Sequence, residues 1–318
     1  MKYEFHSNFS DHITAFISQK NSLGFPYIDS SRILSLFDKF CCDNFSQQKI
    51  LSKEICLAWA IKRDTESNNT FRNRLMPIRE FARYLNRIGV DAYVLSQNFA
   101  KKDPKYVPHI YSIDELHRIF HALDTMQPVK NKPIRHFVYP TLIRMLYCCG
   151  LRPGEAIKLQ TQNINLQTGR IDIIESKCHK SRVVMMSDSI LSACREYDAF
   201  VSKILPNRDI FFPNSEGNIY SRKGIHKTFH KILDEAKIQS RSGLRPRLYD
   251  FRHTYATHRL YQWMREGKDL NAMLPYLSAY MGHAQLSDTY YYIHLVPGIF
   301  ENISGFDGFN TLDFMPEV

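Results

Sequence analysis

No stretch of this chain approaches the roughly 18 consecutive apolar residues needed to cross a membrane. Its first residues, MKYEFHSNFSDH, lack the apolar core of a secretory signal. A soluble, cytoplasmic protein is expected from these two absences. Seven cysteines occur without any CxxC spacing, which argues against a zinc site. Their number is odd, and two pairs are adjacent, Cys41–Cys42 and Cys148–Cys149. Neighbours rarely bridge each other, so buried reduced thiols are expected. No cluster of carboxylates is fit to bind a divalent metal, and no cofactor is expected. Internal repeats and low-complexity tracts are missing as well.

Acidic residues are outnumbered, 32 Asp and Glu against 42 Lys and Arg, leaving a net charge of +10. That excess points to a polyanionic partner, either nucleic acid or an anionic membrane surface. The 44% hydrophobic content is ample for a buried interior and argues against disorder. At 318 residues the chain is long for one compact core, and two domains are the natural expectation.

Residues 1 to about 100 carry apolar positions at helical spacing and no alternating runs. In the clearest segment, 71–88, Phe71, Leu75, Ile78, Ala82 and Leu85 share one face, while Arg72, Arg79 and Arg83 fall on another. Pro77 either starts this helix or kinks it. The arginine stripe suits phosphate contacts, and it equally suits a solvated face. Residues 98–110 (NFAKKDPKYVPHI) read as an extended linker. Its Lys101, Lys102 and Lys105 either track a DNA backbone or keep the linker soluble. Ser112 and Glu115 form a capping-box pattern, followed by one long helix ending at Gly150. Residues 170–174 and 181–186 read as two strands with Lys177 in the turn between them. The rest, to about 293, is helical.

Four segments carry chemistry. In GLRPGEA, Arg152 precedes a proline suited to a first helical turn, and Glu155 is spaced to fix its guanidinium. In ESKCHKSR, Lys177 sits on the turn. In LYDFRHTYATH, Arg252 lies among aromatic residues at a helix start, with Asp250 placed to cap it. A guanidinium buried there needs an anion, either Asp250 or a bound phosphate. In MGHAQLSDTYYYIHL, His283 follows a glycine and three tyrosines follow within three turns. Each segment alone has an ordinary structural explanation: a surface arginine, a solvated turn lysine, a packed tyrosine.

Together and in this order, the four segments resemble the phage-integrase, or tyrosine recombinase, family over about residues 110–295. The resemblance implies a catalytic set of Arg152, Lys177, Arg252, His283 and Tyr292. The nucleophilic tyrosine stands nine residues after the GH-box histidine, which selects Tyr292 over Tyr290 and Tyr291. His294 fits the family's Y-x-H ending. The implied fold is mainly α with a small β-sheet (α+β): a helical core-binding, DNA-binding domain over 1–100, a linker over 101–110, and a catalytic domain over 111–318 with a tail at 296–318. Tyr249 departs from the pattern, since many members carry histidine three residues before the second arginine. A phenol titrates near pH 10 and is a poor base at neutral pH. Tyr249 therefore donates a hydrogen bond, and His253 or water takes the proton from Tyr292, unless deprotonation is unassisted.

The resemblance further implies cleavage of double-stranded DNA through a 3′-phosphotyrosine, in a homotetramer on paired sites that clasps DNA between its domains. A mobile element is the expected context. Phenylalanines at 300, 306, 309 and 314 suit a tail that docks either on a neighbouring protomer or on its own domain. Type IB topoisomerases use a similar residue set, but the GH box, compact size and N-terminal domain favour recombination. A DNA-binding module that has lost catalysis is the other alternative, with Tyr249 as its only support.

Overall fold

The computed structural model describes residues 3–101, 103, 106–174, 181–239 and 243–293. Lys102, Lys105, Lys177, His294 and the tail at 296–318 lie outside the described residues. The chain divides into two compact units at Tyr106/Val107.

The first unit is built on four helices: α1 (Ser10–Ser22), α2 (Ile28–Asn44), α3 (Lys53–Trp59) and α4 (Asn68–Arg87). Serines start the last two, Ser52 accepting from the Ile55 amide and Ser67 from the Thr70 amide. Helix α4 runs through Pro77 and begins nine residues before it, so Pro77 does not start the helix. An interior proline costs about 3 kcal/mol. Burying Phe71, Leu75, Ile78, Phe81 and Leu85 returns about 1.5–3 kcal/mol for each side chain, and packing wins. Arg74 is also buried in this helix, paired with Glu66 at 2.8 Å and bonded to the Trp59 and Ile61 carbonyls. It is a core residue.

In the second unit, Ser112 and Glu115 form the expected reciprocal cap on α5 (Ile113–Asp124). The single long helix expected to follow is instead two. After α5 the chain turns through a segment holding Pro128 and Pro133 and re-enters helix as α6 (Arg135–Cys148). Helix α6 is buried on most of its circumference from Val138 to Tyr147 and packs against α5 and others below. Helix α7 (Pro153–Ile157) leads into a three-stranded antiparallel sheet in the order β1 (Ile164–Asn165), β2 (Arg170–Ile173), β3 (Arg182–Met185). The register pairs Arg170 with Met185 and Ile173 with Arg182. Strand β1, two residues long, was too short to be read from periodicity. Among the described residues five further helices follow: α8 (Asp188–Ile204), α9 (Arg222–Glu235), α10 (Asp250–Arg265), α11 (Leu270–Met281) and α12 (Ser287–Ile293). Helices α8 and α10 flank α6, while α10, α11 and α12 pack on one another. Among the described residues, six cysteines are free, no helix is long and apolar enough to cross a membrane, and no His, Cys, Asp and Glu cluster could hold a metal ion.

Candidate active site

Gly150 ends α6 with a φ of +58°, a left-handed conformation suited to glycine. A Cβ there would lie 2.5 Å from the Tyr255 ring, so the close approach also requires glycine. The next turn places Arg152 at the N-cap of α7, with Pro153 as the first helical residue. Glu155 accepts the Arg152 amide at 2.9 Å and its Nη1 at 2.7 Å, the pairing the spacing predicts. Glu155 also receives Arg182, whose Nη1 and Nη2 donate at 2.9 and 2.8 Å. Burial pushes the Glu155 carboxyl up, but hydrogen bonds and charge from Arg182 and Arg152 outweigh it and hold it down to about 2.

Arg252, fully buried on α10, donates from Nη1 to the Gly150 carbonyl at 2.7 Å and from Nη2 to the Met281 carbonyl at 2.5 Å. Its Nε is buried with no hydrogen-bond partner among the described residues. Burial and the nearby Arg152 push its pKa down to about 10, which leaves it charged at neutral pH. The expected partner Asp250 is not used. Asp250 is the first residue of α10, not its cap, and accepts the Arg247 amide at 2.8 Å. Two main-chain carbonyls therefore replace the carboxylate.

Gly282 closes α11 at φ +64°, and His283 follows it. His283 Nδ1 lies 2.7 Å from the Thr289 hydroxyl, a contact that links the GH box to α12. Three residues on, Tyr292 is 3% exposed, whereas Tyr290 is 42% exposed. The Tyr292 ring stacks on His283 (centroids 6.0 Å, planes 15° apart) and lies 5.6 Å from the His253 ring. It packs in a cluster with Ala256, Leu260, Leu274, Leu277 and Met281. Burial raises its phenol above the usual value, and Arg252 partly opposes that shift. Arg152, Arg252, His283 and Tyr292 thus converge from four separate elements. Tyr249 joins them at the rim, with its ring 5.1 Å from His253. Arg152 and Tyr249 line a cleft of about 580 Å³ together with Arg222, His226 and Arg247.

Both histidines are held neutral. Burial and then Arg252 and Arg152 lower His283 to about 4; burial and then Arg247 and Arg252 lower His253 to about 4. Below the ordinary value of 6.5 the unfolded chain binds protons here that the folded chain refuses. Stability is therefore full above pH 6.5 and falls as the pH drops toward 4. Glu155 adds a more acidic window, from 4.5 down to about 2. A His253→Asn, His283→Asn protein should show a flatter melting temperature between pH 6.5 and 4 in calorimetry; an unchanged slope would exclude these two groups.

Sequence reasoning did not single out Arg182 or Thr289. Arg182 lay inside a quoted segment, and its one signal was a strand-opening arginine in a chain whose Glu155 had only one assigned partner. Of the DNA-contact candidates, Arg79 donates to the Leu95 and Ser96 carbonyls at 2.8 Å each, and Arg83 pairs with Glu80 at 2.6 Å. Arg72 is partly exposed and Lys101 exposed.

The phage integrase family model matches residues 110–297, more than half of the chain. A Sinorhizobium fredii protein described as an integrase/recombinase, y4rB, is 27% identical over 90% of this chain and 93% of its own length. The tyrosine recombinase XerD of Staphylococcus epidermidis is 28% identical over 68% of this chain and 72% of its own. Among solved structures, the XerH site-specific recombinase bound to palindromic difH substrate superposes with a TM-score of 0.63 at 18% identity, covering 86% of this chain and 78% of that one. The Tn1549 transposon integrase bound to circular intermediate DNA gives 0.61 at 14% identity, covering 88% and 94%. The chain belongs to the phage integrase family and is a tyrosine-type site-specific recombinase.

Proposed function

We propose that the protein cleaves and rejoins double-stranded DNA through a 3′-phosphotyrosine formed by Tyr292. The observation that carries this reading is Arg252: a fully buried, charged guanidinium whose Nε finds no hydrogen-bond partner among the described residues, in the same site as Arg152 and Tyr292. Leaving a buried donor unpaired costs about 1–3 kcal/mol, and a scissile phosphate oxygen would satisfy it. Arg152 and Arg252 then hold the non-bridging oxygens, whose negative charge grows as the phosphorane forms. His283 adds a third donor. Lys177 protonates the leaving 5′ oxygen. Tyr249 contributes a hydrogen bond, and the Tyr292 proton passes to neutral His253 or to water. The phosphotyrosine conserves the energy of the broken bond, so rejoining needs no nucleotide cofactor.

Covalent capture tests this reading. Wild-type protein is incubated with nicked duplexes of randomised sequence and denatured, and the attached DNA is sequenced. Strands joined through a 3′-phosphate at a common sequence are expected. Attachment through a 5′-phosphate, or none, would overturn the mechanism.

The reading extends to a tetramer on paired sites that integrates, excises or transposes a mobile element; the integrase/recombinase relative spanning 90% of the chain supports that context. In this assembly the tail from 296 onward docks on a neighbouring protomer. Deleting residues 300–318 should then abolish pairing of sites in a gel-shift assay and spare single-site binding; intact pairing would count against docking in trans. The helical unit ending at Tyr106 supplies further phosphate contacts through Arg72 and Lys101. Arg72→Ala should flatten the slope of log affinity against log salt by about one. Arg79, already committed to two carbonyls, should instead lower the melting temperature when replaced, and a lost counterion on Arg79→Ala would reverse that assignment.

A further inference from the structure

Helix α11 ends on three consecutive carbonyls, and each receives an arginine from a different element. Arg182 of β3 donates its Nε to Tyr280 at 2.8 Å, Arg252 of α10 reaches Met281, and Arg152 at the start of α7 reaches Gly282 at 2.7 Å. The preceding carbonyls, Ser278 and Ala279, are taken by the His283 and Gly282 amides. The helix end is thus fully satisfied, with cations at the negative pole of its dipole. Two of these arginines have places at the phosphate in the proposed function. The third has none, and its side chain is only 8% exposed.

Arg182 holds Glu155 fork to fork, while Glu155 takes the Arg152 amide and Nη1. The two carboxylate oxygens therefore accept four N–H donors. The Arg182 side chain also crosses Gly282 so closely that a Cβ there would stand 2.9 Å from its Cδ. Stability alone is a poor explanation, because a buried ion pair gains little over apolar residues of similar volume. Geometry is a better one: Arg182 ties the carboxylate that orients Arg152 to the backbone that carries His283.

We propose that Arg182 is a positioning residue for strand cleavage. By joining Glu155 to the end of α11 it sets Arg152 and His283 at the spacing the scissile phosphate requires. Lysine cannot reproduce this, since one ammonium cannot bind a carboxylate bidentately and a carbonyl on its far side.

The inference rests on the proposed recombination chemistry, and a paired substrate tests the two separately. The duplex recovered by covalent capture is made with either a phosphodiester or a neutral methylphosphonate at the cleaved position. Single-turnover cleavage is measured at saturating DNA with the full-length protein. Arg182→Gln should cleave the phosphodiester about 100-fold more slowly, and Arg182→Lys about 10-fold, with DNA affinity within about twofold of wild type. On the methylphosphonate both deficits should shrink to about threefold or less, because the transition state carries one fewer negative charge for the clamp to hold. Adding Glu155→Gln to Arg182→Gln should cost little more, since both act through Arg152. Equal deficits on the two substrates would reduce Arg182 to a structural residue, and wild-type rates for Arg182→Gln would remove it altogether. If the glutamine variant fails to fold, the lysine variant keeps the charge and supplies the same comparison. Failure of the wild-type protein to cleave the phosphodiester would instead sink the recombination chemistry itself.

Discussion

Tyr292→Phe should leave no covalent protein–DNA complex on a denaturing gel, a loss on the order of 10^4-fold or more at the chemical step. DNA affinity should hardly change, because the ring and its packing on Ala256, Leu260 and Met281 remain. The neighbouring hydroxyls provide the sharper test. Tyr290 faces solvent and Tyr291 is half-buried, while Tyr292 alone of the three stacks on His283. Arg252 and Arg152 also act on its phenol. Tyr290→Phe and Tyr291→Phe should therefore retain attachment within a few-fold. If Tyr291→Phe were the inactive variant, both the nine-residue spacing and the burial argument would be wrong.

Arg252→Lys should produce the second large effect, about a 100- to 1000-fold slower single-turnover cleavage. The substitution preserves charge, so long-range attraction of DNA persists and the loss isolates geometry. Arg252 spans two carbonyls 131 positions apart in sequence, Gly150 and Met281, and its Nε has no partner among the described residues. A lysine ammonium reaches one of these acceptors at a time. The abandoned carbonyl then stays buried at a cost of about 1–3 kcal/mol, which should appear as a lower denaturation midpoint in urea. Cleavage within tenfold of wild type would show that charge alone suffices and that the bidentate clamp is unnecessary.

Several local contacts of the candidate site were legible in the sequence because they obey short-range rules. Gly150, Arg152 and Glu155 are fixed by one turn and one capping interaction, and the interval from His283 to Tyr292 is a short turn followed by α12. The partners of Arg252 and Arg182 were not legible. Of the two anions expected for Arg252, Asp250 or a bound phosphate, Asp250 is not used, and its terminal nitrogens bond carbonyls, which leave no trace in residue identity. Arg182 meets Glu155 only because the fold brings residues 27 positions apart together, a relation that no local pattern encodes. Likewise Arg79 presents a basic helix face in sequence but spends its donors on Leu95 and Ser96, 16 and 17 residues away. The break between α5 and α6 was signalled by Pro128 and Pro133 but masked by the apolar periodicity on both sides.

Because the acceptors at the end of α11 are main-chain oxygens, the arginine contacts do not depend on the identity of the side chains at 280 and 281, which packing against Tyr255 and Tyr292 constrains instead. They do depend on chain length. One residue inserted within α11 would rotate its end by about 100° and swing all three oxygens away at once. The site is thus written in the phase of a helix more than in its letters, and families built on it can diverge widely in composition while holding their indels elsewhere.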